Sequence, residues 1–306
     1  MNMLDSFVRL YGLCRNYGMP IWVMMPIRRL VRLLYSYLLP YYLEREVPYS
    51  NKTCDVIVSF TSFPKRINNV WQVVECMKRQ TIKPQKIILW LSRQQFPSLS
   101  DIPLSLSSRI DDCFEIRMVD EDYRSHKKYY YAAKEYPNKL LFLIDDDLYY
   151  PTNIIERSLE CLNTHREYVI CNYAFSIAYD DNGCRLPYKR WKELFHDSED
   201  ESIFLGTGGG TLFCPNRLYK DLLNIDVAMS LTPIADDVWI NAMIRLSNVP
   251  KVLLKHGLIV PIINKNNATL CSQNVGDNMN DKQIDNLESY YQCILRRRIF
   301  DKSMIL

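Results

Sequence analysis

The chain has 306 residues, of which 48% are hydrophobic and 24% charged, and this composition excludes a disordered polar chain. Its net charge of +3 resides in residues 1–50, which hold six arginines and three acidic residues, so the rest of the chain is neutral. A neutral body lacks the basic face that a nucleic-acid backbone requires, and this excludes nucleic acid as the main partner. The ten cysteines form no Cys-x-x-Cys pair, which favours buried thiols in a reducing compartment.

Residues 1–50 form an arm whose composition differs from that of the rest of the chain. Two apolar and aromatic runs, at 19–27 and 33–43, are interrupted by prolines and separated by arginines. Neither run approaches the ~20 apolar residues that span a bilayer. The pattern favours either a peripheral helix on the anionic, cytoplasmic face of the cell membrane or a helical arm packed on the body of the protein.

From residue 54 onward, short apolar runs alternate with longer periodic ones. The patterns predict strands at 56–60, 86–91, 114–119 and 140–144, and helices at 70–79, 125–136 and 154–164. This order predicts an α/β fold in which a mostly parallel sheet is flanked by helices.

The predicted strand at 140–144 ends in three consecutive carboxylates, Asp145, Asp146 and Asp147. The carboxyl end of a buried strand is the edge where open α/β sheets bind ligands. Side chains alternate along an extended chain, so Asp145 and Asp147 are expected on one face and Asp146 on the other. Two convergent carboxylates suit Mg²⁺ or Mn²⁺, and a solvated acidic loop is the alternative.

The second half of the chain contains a glycine cluster and a second acidic pair. Gly208, Gly209 and Gly210 predict a close approach of the main chain to a ligand, or a strained turn. The pair Asp236-Asp237 precedes an apolar helical pattern, so Asp237 fits either a general base or a helix N-cap.

In their order along the chain, these features resemble the GT-A class of nucleotide-sugar-dependent glycosyltransferases, and most of all bacterial family 2-type enzymes of polysaccharide synthesis. The resemblance covers residues 54–280 and is carried by the segment 61–66, the run Asp145-Asp146-Asp147, the glycine cluster and the pair Asp236-Asp237. It implies a GT-A, Rossmann-like fold after the N-terminal arm, with a nucleotide-sugar-binding half at 51–152 and an acceptor-binding half with a C-terminal helical region at 153–306.

The resemblance also implies metal-dependent, inverting transfer from a nucleotide diphosphate sugar, with UDP favoured, to a glycan or lipid-linked acceptor in surface polysaccharide synthesis. Mn²⁺ or Mg²⁺ would be held by Asp145, Asp147 and His256. The catalytic base would be Asp237 or Asp236. Donor-binding residues would be Thr61, Ser62, Arg66, Asp145 and Asp146, together with Lys127 and Lys128, whose alternative is a solvated helix face. Acceptor-binding residues would be Gly208, Gly209, Gly210 and Trp239.

Two other functions remain open at this stage. A sugar-nucleotide pyrophosphorylase, a nucleotidyltransferase, would share the α/β core but would carry a glycine-rich loop after the first strand, where residues 61–66 contain no glycine. A carbohydrate-binding protein without turnover could have the same fold, although two separate acidic sites argue against it.

Overall fold

The computed structural model describes residues 2–16, 20–254, 260–262, 279–296 and 298–302, and its centre is a seven-stranded sheet. The strands in these ranges are β1 (Thr53–Thr61), β2 (Lys83–Ser92), β3 (Phe114–Val119), β4 (Leu140–Ile144), β5 (Leu148–Tyr149), β6 (Val169–Cys171), β7 (Ala174–Ser176), β8 (Lys192–Glu193), β9 (Ile203–Leu205), β10 (Gly209–Phe213), β11 (Lys251–Leu253) and β12 (Val260–Pro261). The order in the central sheet is β11-β6-β10-β4-β1-β2-β3.

Helices cover both faces of this sheet. They are α1 (Met3–Asn16), α2 (Ile21–Glu44), α3 (Val70–Lys78), α4 (Leu104–Ser107), α5 (Lys127–Glu135), α6 (Ile154–Thr164), α7 (Ile225–Leu231), α8 (Asp236–Leu246) and α9 (Met279–Leu295). The molecule is therefore a mixed α/β protein with a mostly parallel sheet, as the sequence predicts.

The apolar run of β4 forms a strand because both of its faces are buried. Phe142 and Ile144 point into one core cluster, and Leu141 and Leu143 point into a second cluster on the other side of the sheet. All four side chains are fully buried. The acidic run that follows is thus fixed at the end of a strand that is buried on both faces.

One strand of the central sheet runs against the others. β10 is antiparallel to both β4 and β6, whereas β4 is parallel to β1 and β6 is parallel to β11. Because β10 is reversed, its first residue, Gly209, pairs with the last residue of β4, Ile144. The glycine cluster and the acidic run therefore meet at the same edge of the sheet.

The N-terminal arm packs on the body of the protein. Leu4 and Phe7 of α1 and Leu39 and Leu43 of α2 are buried in the cluster that contains Phe142. The proline-interrupted runs predicted from sequence form one helix, since α2 continues through Pro26 and Pro40. No helix in the described ranges combines the length and apolar character needed to cross a membrane.

Two polar contacts fix the arm. Arg79 donates from Nη2 to the carbonyl oxygens of Leu43 (2.6 Å) and Arg45 (2.9 Å) at the end of α2. Asp5 of α1 accepts from the backbone N–H of Thr152 at 2.9 Å and from its hydroxyl at 2.8 Å. Thr152 lies shortly after the acidic run, so α1 is attached close to that edge of the sheet.

Candidate active site

The loop after β1 is bonded directly to the acidic run after β4. Ser62 Oγ donates to Asp146 Oδ2 at 2.6 Å, and Arg66 Nη1 donates to Asp146 Oδ1 at 2.7 Å. The same guanidinium nitrogen lies 3.0 Å from Asp147 Oδ2. The two strands are parallel neighbours, so their carboxyl ends bring these residues together.

The three carboxylates of the run differ in access to solvent. The side chain of Asp146 is 6% exposed, and its two oxygens accept hydrogen bonds from Ser62 and Arg66. The side chains of Asp145 and Asp147 are 40% and 25% exposed. Asp146 therefore holds the loop in place, and the carboxylates of Asp145 and Asp147 reach solvent.

Gly208 occupies a position where no side chain fits. A Cβ atom there would lie 1.9 Å from Asp145 Cγ, far inside van der Waals contact. The backbone N–H of Asp145 lies 3.2 Å from the Gly208 carbonyl oxygen and donates to the hydroxyl of Tyr150 at 2.8 Å. Tyr150 in turn donates to the Gly208 carbonyl at 2.5 Å. The glycine thus makes room for the Asp145 carboxylate.

The acidic pair lies in the first turn of α8 and is held by Thr207. The Thr207 backbone N–H donates to Asp237 Oδ1 at 2.8 Å. Its hydroxyl lies 2.8 Å from Asp236 Oδ2 and also contacts Asp237 Oδ1. The N-cap of α8 is Ala235, without a side-chain capping bond, so Asp237 is bonded across to the glycine cluster and does not cap its own helix.

A single buried lysine connects the acidic run to the acidic pair. Lys128 Nζ lies 2.8 Å from Asp145 Oδ1 and 2.9 Å from Asp236 Oδ2, and the residue is 4% exposed. Its helix, α5, is fixed to β1 because Ser59 Oγ donates to the Lys128 carbonyl at 2.5 Å. Burial lowers the pKa of Lys128, but attraction to Asp145 and Asp236 outweighs burial, so its pKa is raised and the ammonium stays charged.

The site carries more negative than positive charge. Five carboxylates face two cations, Arg66 and Lys128. Burial, with the neighbouring Asp146, raises the pKa of Asp147 to about 7. Burial, with the neighbouring Asp236, likewise raises the pKa of Asp237 to about 7. For Asp236 burial acts in the same direction, but Lys128 outweighs it and the pKa of Asp236 is lowered.

Other residues singled out from the sequence lie elsewhere. Thr61 Oγ1 donates to the Trp90 carbonyl at 2.8 Å, so it ties β1 to β2. Lys127 is buried and paired with Asp122. Trp239 is fully buried in the core, where its indole N–H donates to the Leu222 carbonyl at 3.2 Å. His256 lies outside the described residues.

The remaining two glycines belong to β10. Gly209 pairs with Ile144 at the edge of the sheet. Gly210 has a φ of +94°, at a shift in the register with β4, and a Cβ there would lie 2.9 Å from Phe142 Cζ. It therefore relieves crowding in the core, which differs from the role of Gly208 beside Asp145.

Thr207 and Tyr150 were not predicted from the sequence. Thr207 stands between Gly206 and Gly208, so a hydroxyl between two glycines was the available signal. Tyr150 follows the acidic run in an aromatic pair and carries no pattern that distinguishes it from a core tyrosine. Within the described residues, no three His, Cys, Asp or Glu side chains are grouped so as to hold a metal ion.

Comparisons with known proteins show similarity at the level of solved structures. No family model and no curated protein matches it. The mannosyltransferase PcManGT from Pyrobaculum calidifontis, solved with GDP-Man and Mn²⁺, is 7% identical, with 95% of this chain and 76% of that chain covered and a TM-score of 0.47. HddC from Yersinia pseudotuberculosis, complexed with GMP-PN, is 12% identical, with 56% and 78% covered and a TM-score of 0.35. At these values, what the chain does must be inferred from its own residues.

Proposed function

We propose that this protein is a metal-dependent glycosyltransferase of the GT-A type, which transfers a sugar from a nucleoside diphosphate donor, UDP by preference, to a hydroxyl group of a glycan or lipid-linked acceptor. The observation that supports this most is the position of Lys128. It joins Asp145, at the ligand-binding edge, to Asp236, beside the candidate base, although the two acids are far apart in the sequence. This contact supports a donor site and an acceptor site that adjoin each other.

Asp145 and Asp147 fit a divalent cation such as Mn²⁺ or Mg²⁺. Their oxygens are hard ligands and face solvent, while the buried cations Arg66 and Lys128 neutralise only part of the negative charge. Such cations are often held by one or two carboxylates together with substrate phosphates. When bound, the cation would stabilise the negative charge that develops on the leaving diphosphate.

Asp237 is placed to act as the general base. Its Oδ1 is fixed by Thr207, and its pKa of about 7 lets it accept a proton near neutral pH. The acceptor hydroxyl oxygen forms a bond to the anomeric carbon as the bond from that carbon to the diphosphate oxygen breaks. The hydroxyl proton passes to Asp237, and the nucleoside diphosphate leaves with both bonding electrons. Attack opposite the leaving group inverts the anomeric configuration.

The test is metal-dependent nucleotide binding by an Asp147→Asn variant. Replacing Asp147 removes an anionic ligand without opening a cavity, so the fold should persist while the effect of Mn²⁺ on UDP affinity disappears. Calorimetry with UDP, with and without Mn²⁺, measures this. Asp112→Asn is the matched control, because Asp112 is exposed. Unchanged metal-dependent affinity in Asp147→Asn would contradict the assignment.

The reaction products distinguish transfer from the alternatives. With UDP-sugars and glycan acceptors, the proposal predicts release of UDP and a product with inverted configuration. Release of pyrophosphate from a nucleoside triphosphate and a sugar phosphate would identify a nucleotidyltransferase instead. Sugar binding without release of any product would indicate a carbohydrate-binding protein.

A further inference from the structure

The outward face of α2 is an exposed apolar stripe. At 100° per residue, its large side chains fall within an arc of about 120° on one side of the helix. Trp22, Leu30 and Tyr37 are 77%, 68% and 67% exposed. The α2 stripe, as defined here, comprises Trp22, Leu30, Leu33, Leu34, Tyr37 and Tyr41.

The opposite face of α2 accounts for its packing on the body. Leu39 and Leu43 are buried there, and Arg79 binds the carbonyl oxygens at the end of the helix. The α2 stripe contributes little to this contact, because its side chains stay more than half exposed in most cases. Contiguous exposed apolar surface of this kind marks an interaction site.

Charge identifies the partner. Arg29 is exposed at the edge of the stripe, and residues 1–50 hold six arginines against three acidic residues, one of which, Glu44, ends α2. Arg28 and Arg32 lie on the packed face with Leu39 and Leu43, where Arg28 donates to the Tyr11 hydroxyl at 2.9 Å. The arm therefore carries a net charge of +3, so a second copy packed on this face would bring two positively charged arms together. An anionic lipid surface carries the opposite charge, and Trp and Tyr side chains suit the boundary between headgroups and acyl chains.

We infer that the α2 stripe docks this protein on the surface of a membrane containing anionic lipid, with α2 lying parallel to the bilayer. The contact is peripheral, since the apolar side chains lie along one face with Arg29 at its edge, and the opposite face packs on the body. The partner is thus a lipid surface, and docking requires no other protein.

Docking would hold the candidate active site at a fixed distance from the membrane. Phe7 of α1 packs edge-on against Tyr149, with 6.0 Å between ring centroids, and Asp5 bonds to Thr152. Both contacts are to residues that closely follow the acidic run. A lipid-linked acceptor would then be presented to a site held in this way. That step rests on the proposed function, whereas the docking surface does not rest on it.

The experiment is flotation of the full chain with vesicles of phosphatidylcholine, alone or with phosphatidylglycerol at about one part in three. We expect binding to the anionic vesicles that weakens as salt is added. The triple variant Leu30→Gln, Leu33→Gln, Tyr37→Gln should bind at least about tenfold more weakly, because it removes the apolar contact. Arg29→Gln should bind about fivefold more weakly to anionic vesicles only.

The matched control is Leu223→Gln with Ile294→Gln, two exposed apolar residues whose elements pack in the core cluster on the other side of the sheet. It should float like the unchanged chain. Failure of the full chain to bind anionic vesicles, or equal binding by the triple variant, would overturn the inference. So would a dimer in solution that the triple variant converts to a monomer.

UDP binding with Mn²⁺ is measured on the same variants and separates the two proposals. If the full chain binds UDP but does not float with anionic vesicles, the docking inference is contradicted and the glycosyltransferase proposal is unaffected. If the full chain floats but shows no metal-dependent binding of UDP, the glycosyltransferase proposal is contradicted and the docking inference is unaffected.

Discussion

Asp236 and Asp237 are neighbours in the sequence but have different surroundings. Asp236 faces the ammonium group of Lys128 at 2.9 Å, which keeps it ionised, while Asp237 is fixed by Thr207 and has a pKa raised to about 7. Two carboxyl groups whose environments separate their pKa values can divide electrostatic and proton-accepting roles between them.

Replacing Asp237 by Asn should therefore reduce transfer far more than donor binding. The amide preserves the shape of the side chain but cannot accept the acceptor proton, so the transfer rate should fall by ~10² or more at nearly constant UDP affinity. Steady-state kinetics with parallel calorimetry measure both quantities. A loss below about threefold would assign the base to another residue.

Gly208→Ala and Gly210→Ala should have different effects. At Gly208 the new Cβ would displace the Asp145 carboxylate, so metal-dependent UDP binding should be lost with little change in stability. At Gly210 it would meet Phe142 in the core at a positive φ, so the free energy of unfolding should fall. Thermal unfolding and calorimetry on both variants check this. Equal UDP affinity in Gly208→Ala and the unchanged chain would mean that Asp145 is not a ligand.

At the scale of elements, β11 contains a buried lysine whose ammonium group is bonded to backbone carbonyl oxygens. Lys251 Nζ donates to the carbonyl oxygens of Ile203 (2.6 Å) and Glu201 (3.3 Å). Burial, together with Arg245, lowers the pKa of Lys251 from 10.5 to about 7. The folded protein therefore releases a proton that the unfolded chain retains between these two pKa values.

The free energy of unfolding should consequently rise with pH across that window, because the unfolded state binds more protons there. Below the lower pKa, the cost of burying the charged lysine should be present in full. From about pH 6.5 to about pH 9.5 the effect is roughly 3 kcal/mol. Lys251→Met removes the titrating group, so its unfolding free energy should depend less on pH. Denaturant unfolding at both pH values tests this, and parallel curves for the two proteins would show that Lys251 remains charged.

Several elements could be predicted because their patterns are local. β3, β4 and α6 have the limits expected from their apolar runs. The single helix α2 was not predicted, because Pro26 and Pro40 normally end a helix and the packing of Leu39 and Leu43 on the body outweighs that preference. The reversal of β10 was not predicted either, since strand direction depends on pairing with β4 and β6.

The candidate site could be predicted in part for the same reason. Asp145, Asp147, Asp236 and Asp237 stand in short motifs that sequence alone displays. The position of Trp239 in the core and the bridging position of Lys128 depend on which side of the sheet each helix covers. A single sequence does not reveal that.

At the scale of the whole molecule, the arm and the body share one core. Phe7→Ala should lower the free energy of unfolding by about 3–5 kcal/mol, because Phe7 is fully buried against Tyr35 and Tyr149. Leu10→Ala in the same helix is the control, since Leu10 is exposed and its loss should be nearly neutral. Equal stability of the two variants in denaturant unfolding would show that the arm is an independent appendage.

The reversed strand β10 also determines which part of the molecule is free to diversify. The chain leaves β6 at Cys171 and re-enters the sheet at Gly209, both at the edge that carries the acids. The intervening residues, which include the small sheet β8-β7-β9, therefore form a connection that starts and ends beside the site. Its length can change without adding a crossover to the sheet. What lies over the carboxylates can thus evolve while the carboxylates keep their places.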